Sequence, residues 1–290
     1  MIPVVDAHVH IFPPDIVRSR AAYCERDRWF GLLYGNPRAR LVTAEELANS
    51  MEEAGINVAI AAGFPWADSG LCAYHNDYLA EASRASGGRI AWLATVVPHH
   101  RSAPAEAVRS FAAGACGIGE LNADAQGFDW SEPDQLTEMV EVCRAAGRPI
   151  MAHVSEPLGH DYPGKGTAWP QRFVRFLERF PEIVVVAAHW GGGLPFYELM
   201  PEVAAVTRNL VYDSAASTYL YRFSVFRVVV DLVGVERVLF ASDFPVLKQG
   251  RFLERVRRES GLTEQELVLV LSENARRVYP LTLPSERDAR

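Results

Sequence analysis

Eight short apolar runs, separated by segments of helical periodicity, constrain this chain more than any other feature. The runs are Val4-Val5-Asp6-Ala7-His8-Val9-His10, Val58-Ala59-Ile60-Ala61-Ala62, residues 90–97, Cys116-Gly117-Ile118-Gly119-Glu120-Leu121, Pro149-Ile150-Met151-Ala152-His153, residues 183–189, the weaker Leu210-Val211-Tyr212-Asp213, and Val238-Leu239-Phe240-Ala241-Ser242-Asp243. Most lack the apolar–polar alternation of a half-exposed strand. They read as strands buried on both faces, the habit of parallel sheets. Helix signals lie between them. Thr43-Ala44-Glu45-Glu46 is a capping box, Leu47, Met51 and Ala54 follow at helical spacing, and Gly55 ends the segment. Helical segments are also expected at about 76–85, 103–113, 131–146 and 171–180, and a second capping box, Thr263-Glu264-Gln265-Glu266, opens one that runs to about 278. Strands alternating with helices predict a parallel sheet, and the count of eight predicts closure into a (β/α)8 TIM barrel. The whole chain, 1–290, is expected to form a single domain.

One stretch breaks the rhythm. About 11–42 mixes polar and aromatic character, with Tyr23, Trp29, Phe30 and Tyr34 set among the breakers Gly31, Gly35 and Pro37. A loop this long inside a compact domain either covers a site or packs onto the barrel through its aromatics, and the two uses are compatible.

Composition removes several classes of function. With 49% hydrophobic and 22% charged residues, a chain of 290 residues can bury a large core without staples. A formal charge of −7 and a pI near 5.7 leave no electrostatic footprint for nucleic acid. No apolar run is long enough to span a bilayer. Cys24, Cys72, Cys116 and Cys143 are scattered with no CxxC pair, which points to a reducing compartment. The first strand begins within three residues of the N-terminus, so no signal peptide is expected and the expected location is the cytoplasm. The expected partner is a small-molecule substrate, with neither nucleic acid nor membrane, and a homodimer is left open.

In a barrel of this kind the site forms at the C-terminal rim, from the ends of several strands. Strand one ends in His8 and His10, strand four in Glu120, strand five in His153, strand six in His189 and strand eight in Asp243. His8 and His10 share one face because strand side chains repeat every two residues. Taken singly, each of these residues has an ordinary structural use. Six metal-competent groups at five strand ends together point to a metal site, and imidazole with carboxylate suits zinc or a similar first-row divalent ion.

His8-Val9-His10, Met151-Ala152-His153-Val154-Ser155-Glu156, Ala188-His189-Trp190-Gly191-Gly192-Gly193 and Ala241-Ser242-Asp243-Phe244-Pro245 together resemble the amidohydrolase superfamily. More narrowly they resemble its amidohydrolase-2 group, which includes aminocarboxymuconate-semialdehyde decarboxylase. The resemblance runs to Ser272-Glu273-Asn274-Ala275-Arg276-Arg277, which is similar to the group's final helix. It implies that His8, His10, His153 and Asp243 hold one divalent ion, commonly zinc. His189 would be a further ligand or an acid/base beside the bound water, and Asp243 would take that water's proton. A glutamate on strand four bridges two metals in some superfamily members, so Glu120 raises the alternative of a second ion.

The expected activity is hydrolysis of a carbonyl-type bond in a small molecule by metal-activated water. The alternative is a non-oxidative decarboxylase of a small carboxylic acid, aromatic acids included, on the same site. Behind these stand a TatD-like nuclease, which the acidic pI and the 155–169 loop oppose, and a non-catalytic barrel. Candidates for substrate contact are His160, Tyr162 and Lys165 in the glycine-rich loop after His153, His99, His100 and Arg101 after strand three, and Trp29 in the excursion. His75 reads as a helix cap or a surface residue.

Overall fold

A computed structural model describes residues 2–281. Its eight strands are β1 (Val5–His10), β2 (Val58–Ala62), β3 (Ile90–Ala94), β4 (Gly117–Leu121), β5 (Ile150–Ala152), β6 (Val185–Ala187), β7 (Leu210–Asp213) and β8 (Val238–Leu239). They pair in parallel, each with the next in sequence. The chain just past β8 returns to β1: Ala7 N–H donates to Phe240 O, Asp243 N–H to His8 O and His10 N–H to Phe244 O, at 2.7–2.9 Å. Buried Asp6 fastens this seam by accepting from the N–H and hydroxyl of Ser242 and from the side-chain amide of Gln249. The (β/α)8 barrel is therefore closed as its repeats require.

Two apolar layers fill it. Val5, Ala7, Ile60, Leu93, Met151, Val186 and Leu239 form the inner cluster, and Val9, Ala61, Trp92, Ile118 and Val185 pack outward against the helices. Val5 and Ala7 face in and Val9 faces out, so the facing of β1 changes along its length. The change falls where the register of β1 on β2 slips, between Asp6 and Val9. After the slip it is His8 and His10 that point into the barrel. β4 slips in the same way between Ile118 and Leu121, which aims Glu120 inward. Gly119 is required there: a Cβ on it would lie 2.7 Å from Cβ of Met151 and 2.8 Å from its carbonyl oxygen.

Three expectations need correction. The excursion is not a loop but three short helices, α1 (Pro14–Arg18), α2 (Arg20–Arg26) and α3 (Arg28–Tyr34), followed by α4 (Ala44–Ala54) with the expected capping box. Phe12, Ile16 and Phe30 bury themselves against Phe64 and Trp66, and apolar packing rather than helix propensity orders the segment. Asp27 caps α3 by accepting from Phe30 N–H and also accepts from Ala67 N–H, which ties the excursion to the segment after β2.

The next helix, α5 (Ser69–Ala85), starts earlier than the sequence pattern indicates, because Asp68 caps it by accepting from Leu71 N–H. His75 therefore lies inside a helix and is fully buried, neither cap nor surface residue. Its Nδ1 accepts from Phe64 N–H at 3.2 Å and Trp66 Nε1–H at 3.1 Å, so Nε2–H donates to Ile11 O at 2.7 Å. Burial pushes its pKa down to about 4 and keeps the ring neutral. The strands also end sooner than the apolar runs suggest. Runs 90–97, 183–189 and 238–243 leave the ladder at Ala94, Ala187 and Leu239, and the rest of each run turns across the rim. No helix among the described residues is long and apolar enough to cross a membrane.

Candidate metal centre and pocket

The rim brings together all six groups named from the strand ends. His8 and His10 come from β1, Glu120 from β4, His153 directly follows β5, His189 follows β6 and Asp243 follows β8. They fall into two sets of converging ligand atoms, His8, His10 and Asp243 in one, Glu120, His153 and His189 in the other, each within 4.8 Å. Glu120 joins the sets. Its Oε2 is 3.7 Å from Nε2 of both His8 and His10, and its Oε1 is 2.9 Å from His153 Nδ1 and 3.3 Å from His189 Nε2.

The donor chemistry fits a divalent cation. Nε2 of His8 and Nε2 of His10 face each other at 3.0 Å, and Asp243 Oδ1 is 3.5 Å from the latter. Two imidazole nitrogens aimed at one point need a shared proton or a cation between them. Four imidazoles and two carboxylates are nitrogen and oxygen donors of the kind first-row divalent ions take.

Asp213, the last residue of β7, is a member of the site that the strand-end reading passed over. It is fully buried and its Oδ2 accepts from His8 Nδ1 at 2.8 Å. With Nδ1 carrying that proton, Nε2 of His8 offers a lone pair to the site. The other oxygen, Oδ1, accepts from the backbone N–H of His189 at 2.9 Å and of Ala215 at 3.0 Å. The available signal was a carboxylate at a strand's C-terminal end, the criterion already applied to Glu120.

Charges in the site are strongly coupled. Burial opposes a charge on His8, but Asp213 and Glu120 overcome it and hold its pKa well above the usual value. His10 is pushed down to about 3, by burial first and then by the charge on His8. Burial also opposes a charge on His189, yet its bond to Glu120 and that carboxylate's charge raise it to about 9. Against burial, the histidines around Glu120, with His153 foremost, hold its carboxylate well below the ordinary range. Asp243 goes the other way, raised by burial to about 6.

Backbone strain concentrates at the same place. His189 and Asp243 both adopt left-handed φ angles of 58°. Each is pinned by its own N–H, that of His189 on Asp213 and that of Asp243 on His8 O. The left-handed course continues through Trp190, Gly191, Gly192 and Gly193, where Gly192 is indispensable because a Cβ would sit 2.5 Å from Ser155 O. That close approach packs the turn carrying His189 against the one carrying His153.

Above the donors opens a cavity of about 530 Å³. Trp29, Tyr34 and Phe64 form an aromatic wall, and His160 and Tyr162 approach from the 155–169 loop. Arg38 and Arg40, exposed residues at the end of the excursion, complete the lining and were not anticipated. Tyr162 donates to Glu156 at 3.2 Å. Lys165 lies outside the cavity, with Nζ held by the carbonyls of Leu158 and His160, because the turning loop offers it those acceptors. His99, His100 and Arg101 are exposed and also lie outside it.

The sequence profile of a family described as amidohydrolase matches residues 5–281. No curated protein matches the chain. Among solved structures, 5-carboxyvanillate decarboxylase from Sphingomonas paucimobilis superposes with a TM-score of 0.80 at 19% identity, covering 97% of this chain and 100% of that one. The same enzyme from Novosphingobium aromaticivorans, with manganese and 4-hydroxy-3-methoxy-5-nitrobenzoic acid, gives 0.77 at 18% identity over 96% of each chain. Dihydroxybenzoic acid decarboxylase from Polaromonas, with manganese and the inhibitor 2-nitroresorcinol, gives 0.66 at 18% identity, covering 96% of this chain and 97% of that one. At these identities the likeness is one of fold.

Proposed function

The chain belongs to the amidohydrolase family, and from that premise we propose that it is a metal-dependent, non-oxidative decarboxylase of a small aromatic carboxylic acid. The observation that carries this reading is the cavity: an aromatic wall of Trp29, Tyr34 and Phe64 beside the buried donors, with two arginines in the same lining. A flat ring suits the wall, and a guanidinium suits a carboxylate. The structural relatives named above are decarboxylases of hydroxylated benzoic acids, which supports the same choice.

A divalent cation held by ligands drawn from His8, His10, His153, His189, Glu120 and Asp243 would supply Lewis-acid charge to the substrate's oxygens. The chain's own residues supply the rest. The aromatic wall holds the ring in place and excludes water. When the bond between ring carbon and carboxylate breaks, the electron pair stays on the ring carbon and CO2 leaves. That carbon takes a proton from the Asp243 carboxyl, and solvent returns a proton to Asp243. In the metal-free protein burial raises this carboxyl to about 6, which makes it easier to protonate than an exposed aspartate. Hydrolysis, the first expectation from sequence, uses the same donors with Asp243 as proton acceptor. The expectation of zinc broadens to a first-row divalent ion, and the position of Glu120 between two histidine pairs suits one ion or two.

The test is turnover of hydroxylated benzoic acids in D2O by protein loaded with Mn2+ or Zn2+, beside a panel of amides and lactones. Release of CO2 with one deuterium at the vacated ring carbon is expected. Acid release from an amide or lactone, with no CO2 from any benzoate, would put hydrolysis in its place.

A further inference from the structure

A second cavity, of about 460 Å³, adjoins the first and shares Arg40, Tyr219, Pro245 and Val246 with it. Its remaining lining includes Lys248, Arg251 and Arg255, and no carboxylate. Four cations thus face one space. Two are held in place: Arg255 binds Glu259 at 2.8 Å and lies 4.3 Å over the Phe223 ring, and Arg40 lies 5.7 Å over Phe244. Lys248 and Arg251 make no side-chain hydrogen bond or ion pair with any described residue. The chain as a whole carries a charge of −7, so a basic pocket without acidic lining stands against its surroundings. Apart from Arg40, the bridge between the cavities is formed by Tyr219, Pro245 and Val246 and is open, with Tyr219 60% and Val246 48% exposed.

We propose that this second cavity binds a distal anionic group of the substrate, a carboxylate or a phosphate, while the reacting aromatic acid occupies the first. The substrate class is then an extended aromatic acid with a second acidic group on an arm. Tyr219 and Val246 cover the arm, which gives their exposure a use. Arg255 and Arg40, already oriented, lose little freedom on meeting the anion, and Lys248 and Arg251 supply the charge that is free. This identification of the substrate rests on the decarboxylase reading, whereas the anion site itself does not.

Calorimetric titration tests it, using the wild-type protein and a Lys248→Gln/Arg251→Gln double variant. Both substituted residues are exposed and lie outside the lining of the first cavity. The probes are 2-hydroxybenzoate and a 2-hydroxybenzoate bearing a phosphonate on a short alkyl arm. At low ionic strength the arm is expected to tighten binding to wild type at least tenfold. The gain is expected to vanish in the double variant, and the affinity for plain 2-hydroxybenzoate to change less than twofold. No gain from the arm in wild type, or a gain that persists in the variant, overturns the proposal. If neither benzoate binds wild type, the aromatic-acid reading fails and the distal-substrate proposal falls with it. Titration with inorganic phosphate then isolates the anion site: binding lost in the variant retains it for a separate anion, and equal binding by both proteins removes it too.

Discussion

One carboxylate, Asp213, holds His8 by Nδ1 at 2.8 Å with one oxygen, and with the other takes the backbone N–H of the residue whose ring faces Glu120. The end of β7 thus sets both the tautomer of a β1 ligand and the position of His189. Asp213→Asn would turn an N–H donor toward His8 and move the imidazole proton to Nε2, the nitrogen that faces the site. Metal affinity is expected to fall about 10–100-fold, the usual range for the loss of such a partner. Competition with a chelator reads it. An unchanged affinity would remove Asp213 from the site.

Asp243→Asn tests the proton donor without disturbing the turn. Asparagine accepts the left-handed backbone found there, with φ of 58°, better than alanine does. The variant is expected to fold as wild type does and to lose about 10²–10⁴ in kcat, the range for loss of a general acid. Wild-type turnover would eliminate the donor role, and a changed circular dichroism spectrum would mark the residue as structural.

The metal-free protein should lose stability as pH rises. His189 is raised to about 9 in the folded protein from an ordinary value of 6.5, and His8 moves in the same direction. The folded state therefore binds more protons than the unfolded one between these limits. This stabilisation is complete below about 6.5 and is lost as pH climbs through about 9. The same protons, with that of Asp243, oppose metal, so apparent metal affinity should rise over the interval. Urea unfolding of chelator-treated protein at pH 7, 8 and 9, above the range where the lowered His10 and His75 act with the opposite sign, gives the first slope, and metal titration the second. A midpoint that rises with pH would contradict the assignment.

His75→Ala should be among the most damaging single substitutions. It strips partners from Phe64 N–H, Trp66 Nε1–H and Ile11 O, all buried, and opens space beneath the aromatic wall. Unsatisfied buried groups cost about 1–3 kcal/mol each, so a loss of about 3 kcal/mol or more is expected in urea denaturation. A loss below about 1 kcal/mol would mean that water replaces the ring.

What could be read from the sequence divides along physical lines. Most strands were legible because they are apolar runs, and burial on both faces leaves that mark on composition; β1, interrupted by Asp6 and His8, is the exception. Their ends were not, since residues such as Val96 and Phe240 stay apolar after the ladder stops and the chain turns over the rim. The six donors stood out as polar residues closing apolar runs. Asp213 stood at the same kind of position, but its meaning depends on His8, 205 residues away. The helices of the excursion, of five, seven and seven residues, are too short for periodicity to register. His75 looked peripheral because Asp68, rather than an apolar repeat, begins its helix.

The slip between Asp6 and Val9 makes the length of β1, and not only its composition, a determinant of function. Strict alternation onward from Val5 and Ala7 would turn Val9 toward the cavity and both imidazoles toward the helices, with the composition of the strand unchanged. The slip sets two residues of β1, Ala7 and His8, against Ile60 alone, so both face inward while Val9 pairs with Ala61 and His10 with Ala62. The one extra residue in β1, rather than its hydrophobicity, is what turns a pair of histidines into a pair of ligands.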